Sequence, residues 1–204
     1  MNRIITLIGI LMFCGEAFAQ KVYVWDPQPE VPVQRSLFTS SDTVDIIIFD
    51  GRSIPKKSNN KFTSEELIEV INNNIKEAYE GAVFNHLDKN EYYKEVKNKH
   101  VTIKIGISGY HAGFGRDIGV AIGNVGGKFM TSFIGEGKWN SITSFYVKVY
   151  DFRDNNSIVE EQEIISLEER PNLGGYSTAR KALRSTYNQS MNKLFSFIDS
   201  VLMK

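Results

Sequence analysis

Cysteine is almost missing from this chain. Of 204 residues only Cys14 is a cysteine. It sits inside an N-terminal stretch that reads as a leader. Once that leader is removed, disulfides, zinc thiolates and cysteine nucleophiles are all excluded. Charge of one sign is missing too, with 24 basic and 24 acidic side chains in balance. Such a chain lacks the electrostatic footprint for nucleic acid and the basic cluster that holds a protein on an anionic membrane. Histidine occurs three times, as His86, His100 and His111. No two of them have metal-ligand spacing, so no metal or cofactor is expected. Apolar runs are short. The longest, Ile4 to Phe13, cannot span a bilayer.

What is present begins with that leader. Arg3, the apolar run and Ala17-Phe18-Ala19 form the basic, hydrophobic and small-x-small parts of a secretory signal peptide over residues 1–19. Cleavage near Ala19 makes the protein periplasmic or secreted. The alternative is a lipoprotein signal using Cys14, and the bulky Phe13 before it disfavours that. Residues 20–41 carry Pro27, Pro29 and Pro32. They read as an extended arm with a short strand at Val22 to Trp25. Residues 42–204 read as one α+β domain.

Within it, Ile46 to Phe49 form an unbroken apolar run, the mark of a strand covered on both faces. Thr63 and Glu66 form a capping box. Leu67, Ile71, Ile75 and Ala78 follow at helical spacing, with Gly81 as a stop. Val101, Ile103, Ile105 and Ile107 alternate with Thr102, Lys104 and Ser108, and Phe145, Val147 and Val149 alternate with Ser144, Tyr146 and Lys148. Both stretches predict half-buried strands with one wet face. A third strand follows the 154–156 turn. Ala179, Leu183, Tyr187, Met191, Leu194, Ile198 and Val201 predict a final helix from about Ser177 to Leu202. The expected architecture is a two-layer sandwich, a mainly antiparallel sheet with two helices on one face.

Residues 109–137 hold a glycine-rich excursion. A P-loop fails because Phe129 follows Gly127-Lys128 and Ile122 stands where the first glycine belongs. A dinucleotide fingerprint fails at Ile118. A membrane hairpin needs many copies to satisfy its strand edges. The remaining reading is a bend between strands, packed on the sheet, with His111, Phe114, Arg116, Phe129, Phe133 and Trp139 as candidate partner contacts. No serine-hydrolase elbow occurs. Asp50, His111 and Asp151 are the acid/base candidates if the chain is a hydrolase.

Asp50-x-Arg52 after the first strand, Arg116 after the second, and Val149-Tyr150-Asp151 ending the third give the chain a family likeness. Over residues 43–202 it resembles the YajG-type envelope lipoproteins. More distantly it is similar to the periplasmic domains of CsgG, LpoB and the N-terminal part of TolB. The resemblance implies a non-enzymatic envelope module with an envelope protein partner. Most of those relatives carry a lipobox cysteine, and this chain departs from them there. Two other functions stay open at this point. One is an oligomeric outer-membrane pore or export component using the glycine hairpin. The other is the hydrolase.

Overall fold

The computed structural model describes residues 22–52, 59–60, 62–114, 117–120, 130–133, 137–153 and 157–204. The leader with Cys14, and Arg116 and Phe129 of the glycine stretch, lie outside the described residues. The strands are β1 (Val22–Val24), β2 (Thr43–Asp50), β3 (Asn59–Asn60), β4 (Val83–His86), β5 (Val101–Phe114), β6 (Asp117–Val120), β7 (Met130–Phe133), β8 (Lys138–Asp151) and β9 (Ile158–Pro171). The helices are α1 (Ser64–Ala78) and α2 (Tyr176–Leu202).

β5 organises the sheet. One of its edges pairs in parallel with β2, from Val44↔Val101 to Asp50↔Ile107. Farther along, the same edge pairs antiparallel with β1 through Ala112 and Gly113. The other edge pairs antiparallel with the whole of β8, which pairs with β9 in turn. β4 lies parallel on the far side of β2. The result is an open, mixed seven-stranded sheet in an α+β fold. β6 and β7 form a separate two-stranded sheet.

Both helices lie on one face. α1 starts at the capping box, with the Thr63 hydroxyl accepting from the Glu66 amide and the Glu66 carboxylate accepting from the Thr63 amide. Its stripe of Leu67, Ile71, Ile75 and Ala78 is fully buried. Gly81, at φ +105°, takes a conformation that side chains resist and turns the chain into β4. Every residue of the expected α2 stripe is buried. The helices touch each other directly: Asn74 donates to the Tyr187 hydroxyl at 3.0 Å, and the Tyr79 hydroxyl donates to Asp199 at 2.6 Å. Ile103, Ile105, Ile107, Phe145, Val147 and Val149 complete the core beneath them.

The N-terminal arm lies against both helices. The Glu30 amide donates to the Asn188 side-chain oxygen at 3.3 Å, and the Arg35 amide to the Ala78 carbonyl at 2.8 Å. The Arg35 guanidinium sits 4.5 Å from the Phe195 ring centroid and pairs with Asp199 at 2.9 Å. At the far side of the sheet, Lys193 of α2 donates to the Ile165 carbonyl of β9 at 2.6 Å. Among the described residues β9 pairs only with β8.

Two expectations need correction. The second face of the sheet is not wet where expected, since Thr102, Lys104 and Ser108 are 1%, 3% and 3% exposed. The segment after β4 folds back over this face, with Tyr92 stacked on Phe49 at 5.3 Å. Lys104 holds it there by donating to the carbonyls of Glu91, Tyr92 and Lys94. A buried ammonium is tolerable because three acceptors replace its hydration. Secondly, the glycine excursion is shorter than 109–137. β5 runs on to Phe114 and β8 begins at Lys138. A β-bulge makes this extension work. The register steps from Ile107↔Phe145 to Gly109↔Ser144, leaving Ser108 as the extra residue. One extra residue inverts the facing of everything after it. Tyr110 and Ala112 therefore enter the helix-side core, and His111 faces the other way.

Candidate functional site

The end of the sheet from which the glycine hairpin leaves gathers large rings from four segments. Tyr23 and Trp25 are two residues apart on an extended strand, so their side chains share a face. They stack at 5.4 Å with an interplanar angle of 8°. The Tyr110 hydroxyl fixes this segment by donating to the Trp25 carbonyl at 2.7 Å. Trp139 stands opposite Phe114 in the β5–β8 ladder, with ring centroids 5.3 Å apart. Trp139 is also edge-on to Tyr23 at 5.7 Å, and its indole N–H donates to Asn172 at 2.9 Å. Tyr176, the first residue of α2, closes the group against Tyr23, Trp25 and Trp139 at 5.1, 6.2 and 5.8 Å. The Tyr23 and Tyr176 hydroxyls share a hydrogen bond at 3.3 Å. That bond, reinforced by burial, raises the Tyr23 pKa.

Cations border these rings. α2 begins after Gly175, at φ +53°, with no side-chain cap. One turn into the helix, the Arg180 guanidinium lies 5.4 Å from the Trp25 ring centroid, within cation–π reach. Lys181 and Arg184 follow, exposed and without an ion pair or hydrogen bond among the described residues. Trp25, Asp26, Tyr176, Arg180, Lys181 and Arg184 line a depression of about 680 Å³. A second depression, of about 360 Å³, continues along the helix past Arg184 to Asn188 and Asn192.

Of the candidate contacts, Phe114 and Trp139 belong to this site, 41% and 5% exposed. Phe133 ends β7 and pairs with Asp117 in the hairpin. His111 does not join the rings, because the bulge turns it to the opposite face. There burial, helped by the Arg52 charge, lowers its pKa to about 4. Tyr23, Trp25, Tyr176 and the α2 cations were not anticipated. Each looks ordinary in its own segment, and only the fold brings them together.

The acid/base candidates are separated. Asp50 registers with Ile107 and Asp151 with Val101, at the two ends of the stretch of β5 that pairs with β2. Six residues of strand set them about 20 Å apart. Each is already committed to an arginine. Asp50 receives Arg52 at 2.8 and 2.6 Å and the Ser64 hydroxyl besides. Asp151 receives Arg153 at 2.9 and 2.6 Å. Burial pushes both carboxyl pKa values up, and the arginine bonds outweigh it, leaving both lowered.

A second polar cluster surrounds Asp45, 7% exposed, on the face away from the helices. Its carboxylate takes Asn85 at 3.1 Å and Asn98 at 2.8 Å, and faces the His100 ring nitrogen at 2.8 Å. Burial opposes ionisation of Asp45, but these partners prevail and lower its pKa. Among the described residues, no three His, Cys, Asp or Glu side chains are placed to hold a metal ion. Among them too, no helix is long and apolar enough to cross a membrane.

No protein-family model matches the chain, and no curated protein matches it. Solved structures are similar at low identity. A hypothetical protein of Chlamydia trachomatis shares 7% identity at a TM-score of 0.45, covering 80% of this chain and 99% of its own. A Xanthomonas campestris protein of family DUF330 shares 6% at 0.43, covering 82% and 92%. An uncharacterized protein shares 12% at 0.41, covering 83% and 99%.

Proposed function

We propose that this chain is an exported, non-enzymatic module of the bacterial envelope that binds a protein partner through the aromatic end of its sheet. The observation that carries the reading is the exposure of Tyr176 (57%) on a buried layer of Tyr23, Trp25 and Trp139, with the exposed Leu173 (89%) three residues before it in the chain. Water gains little from such an arrangement. A partner gains rigid rings, held by each other and needing no further ordering, beside arginines. Tyrosine, tryptophan and arginine are the residue types that dominate binding energy at protein interfaces. The leader at residues 1–19 supports export, and the resemblance to YajG-type envelope lipoproteins agrees with an assembly role.

Site-specific photo-cross-linking in the producing cells tests this. A photoreactive residue at position 173 or 176 is expected to give one discrete adduct, and the same group at position 160 on β9 none. Tyr176→Ser should abolish the adduct formed from position 173. Absence of an adduct at both aromatic positions, with the protein folded and exported, would refute the reading.

A further inference from the structure

Lys181, Arg184, Asn188 and Asn192 are spaced three or four residues apart on α2, so they form one stripe along its outer surface. Asn188 differs from its neighbours. It is 9% exposed, and its side-chain oxygen is occupied by the Glu30 amide at 3.3 Å. A backbone N–H must meet the oxygen, so the orientation of the amide group is settled, and the nitrogen is the other end. That nitrogen is buried and has no hydrogen-bond partner. Yet Asn188 lines the smaller depression, with Arg184, Lys181 and Arg170 around it. A buried donor left unmade costs about 1–3 kcal/mol, and two unpaired cations beside it select for an acceptor that carries negative charge.

We propose that this depression is a carboxylate-binding subsite, taking an aspartate or glutamate side chain of an acidic peptide segment. The carboxylate has two oxygens. One accepts from the Asn188 amide, and the other from the Arg184 guanidinium one helical turn away. Arg170 is partly committed, since it already pairs with Glu168. Glu30 and Asp26 stand on the walls of the two depressions. Their charge opposes a doubly charged phosphate more strongly than a singly charged carboxylate. The larger depression continues toward Trp25 and Arg180, which gives an extended chain a second contact in line with the first. The subsite goes beyond the partner-binding reading. Its test uses a synthetic peptide, so failure of one leaves the other standing.

The experiment titrates the isotopically labelled protein with a Gly-Glu repeat peptide and follows side-chain amide resonances by NMR. The Asn188 amide signals are expected to shift in a saturable manner. The Gly-Gln counterpart should leave them in place, and inorganic phosphate should compete weakly. Arg184→Gln, an exposed change that preserves the fold, should weaken peptide binding about tenfold. Lys181→Gln should weaken it less, because Lys181 supplies charge without the planar fork. An unmoved Asn188 amide overturns the proposal. So does equal binding of the Gln peptide, full competition by phosphate, or unchanged affinity in Arg184→Gln.

Discussion

Asp50 and Asp151 hold the same clasp at opposite ends of the stretch of β5 that pairs with β2. Each accepts two guanidinium bonds and a backbone N–H from the arginine two residues on. The two clasps differ in solvent. The Arg52 and Asp50 side chains are 3% and 9% exposed, whereas Arg153 is 23% exposed beside an Asp151 at 4%.

That difference sets the first prediction. Arg52→Ala leaves a carboxylate stranded in the interior and should cost about 3–5 kcal/mol. Arg153→Ala should cost less than Arg52→Ala, because the Arg153 side of the pair is already open to water, which can enter beside Asp151 when the guanidinium is removed. Urea denaturation of the two variants measures both.

His111 predicts a pH dependence. Its folded pKa is depressed to about 4 from an ordinary 6.5. Below 6.5 the unfolded chain takes up a proton that the folded chain refuses, so folding becomes less favourable. The contribution is complete above pH 6.5 and is lost as pH falls toward 4. His111→Gln should flatten the urea midpoint over that window. The lowered carboxyls of Asp45, Asp50 and Asp151 act in the same direction at lower pH, from about 4 downward.

Lys104 should prove to be a latch. Lys104→Met deprives three carbonyls of their donor. An expected loss of about 1–3 kcal/mol follows. Hydrogen exchange should quicken around Tyr92 well before it quickens in β5. Uniform acceleration throughout the domain would contradict a local role.

The bulge makes the sharpest prediction. Deleting Ser108 removes the bulge and leaves a regular ladder, with Gly109 opposite Ser144 and Tyr110 still facing the core. The variant should still fold cooperatively, as judged by near-ultraviolet circular dichroism and thermal melting, and loss of the cooperative transition would contradict the assignment of Ser108 as the extra residue. Ser108→Ala keeps the extra residue and loses only the bond to the Ser144 hydroxyl at 2.8 Å. It should cost about 1 kcal/mol.

The elements most legible in the chain were those whose signals are local. The Thr63–Glu66 box and the α2 stripe are written within a few turns of helix, and both stand as expected. Alternation in β5 correctly divided Ile103 from Lys104. It could not say whether the second face was covered, because the covering segment around Tyr92 has no periodicity of its own. The short β4 is scarcely apolar and passed unnoticed, and with it the parallel pairing about β2. In the site, Phe114 and Trp139 stood out as large rings near glycines. Tyr23, Trp25 and Tyr176 carry no such mark, and their assembly depends on the long-range pairing of β1 with β5.

The lysine of α2 that reaches the Ile165 carbonyl has an effect beyond the monomer. A 14-residue border strand whose outer edge has no partner among the described residues is a template on which a second copy could align and start a fibril. Capping one acceptor near its middle breaks that template into two short halves, each bristling with glutamates. On this view Lys193→Met should raise the tendency to self-associate at high concentration, read by light scattering.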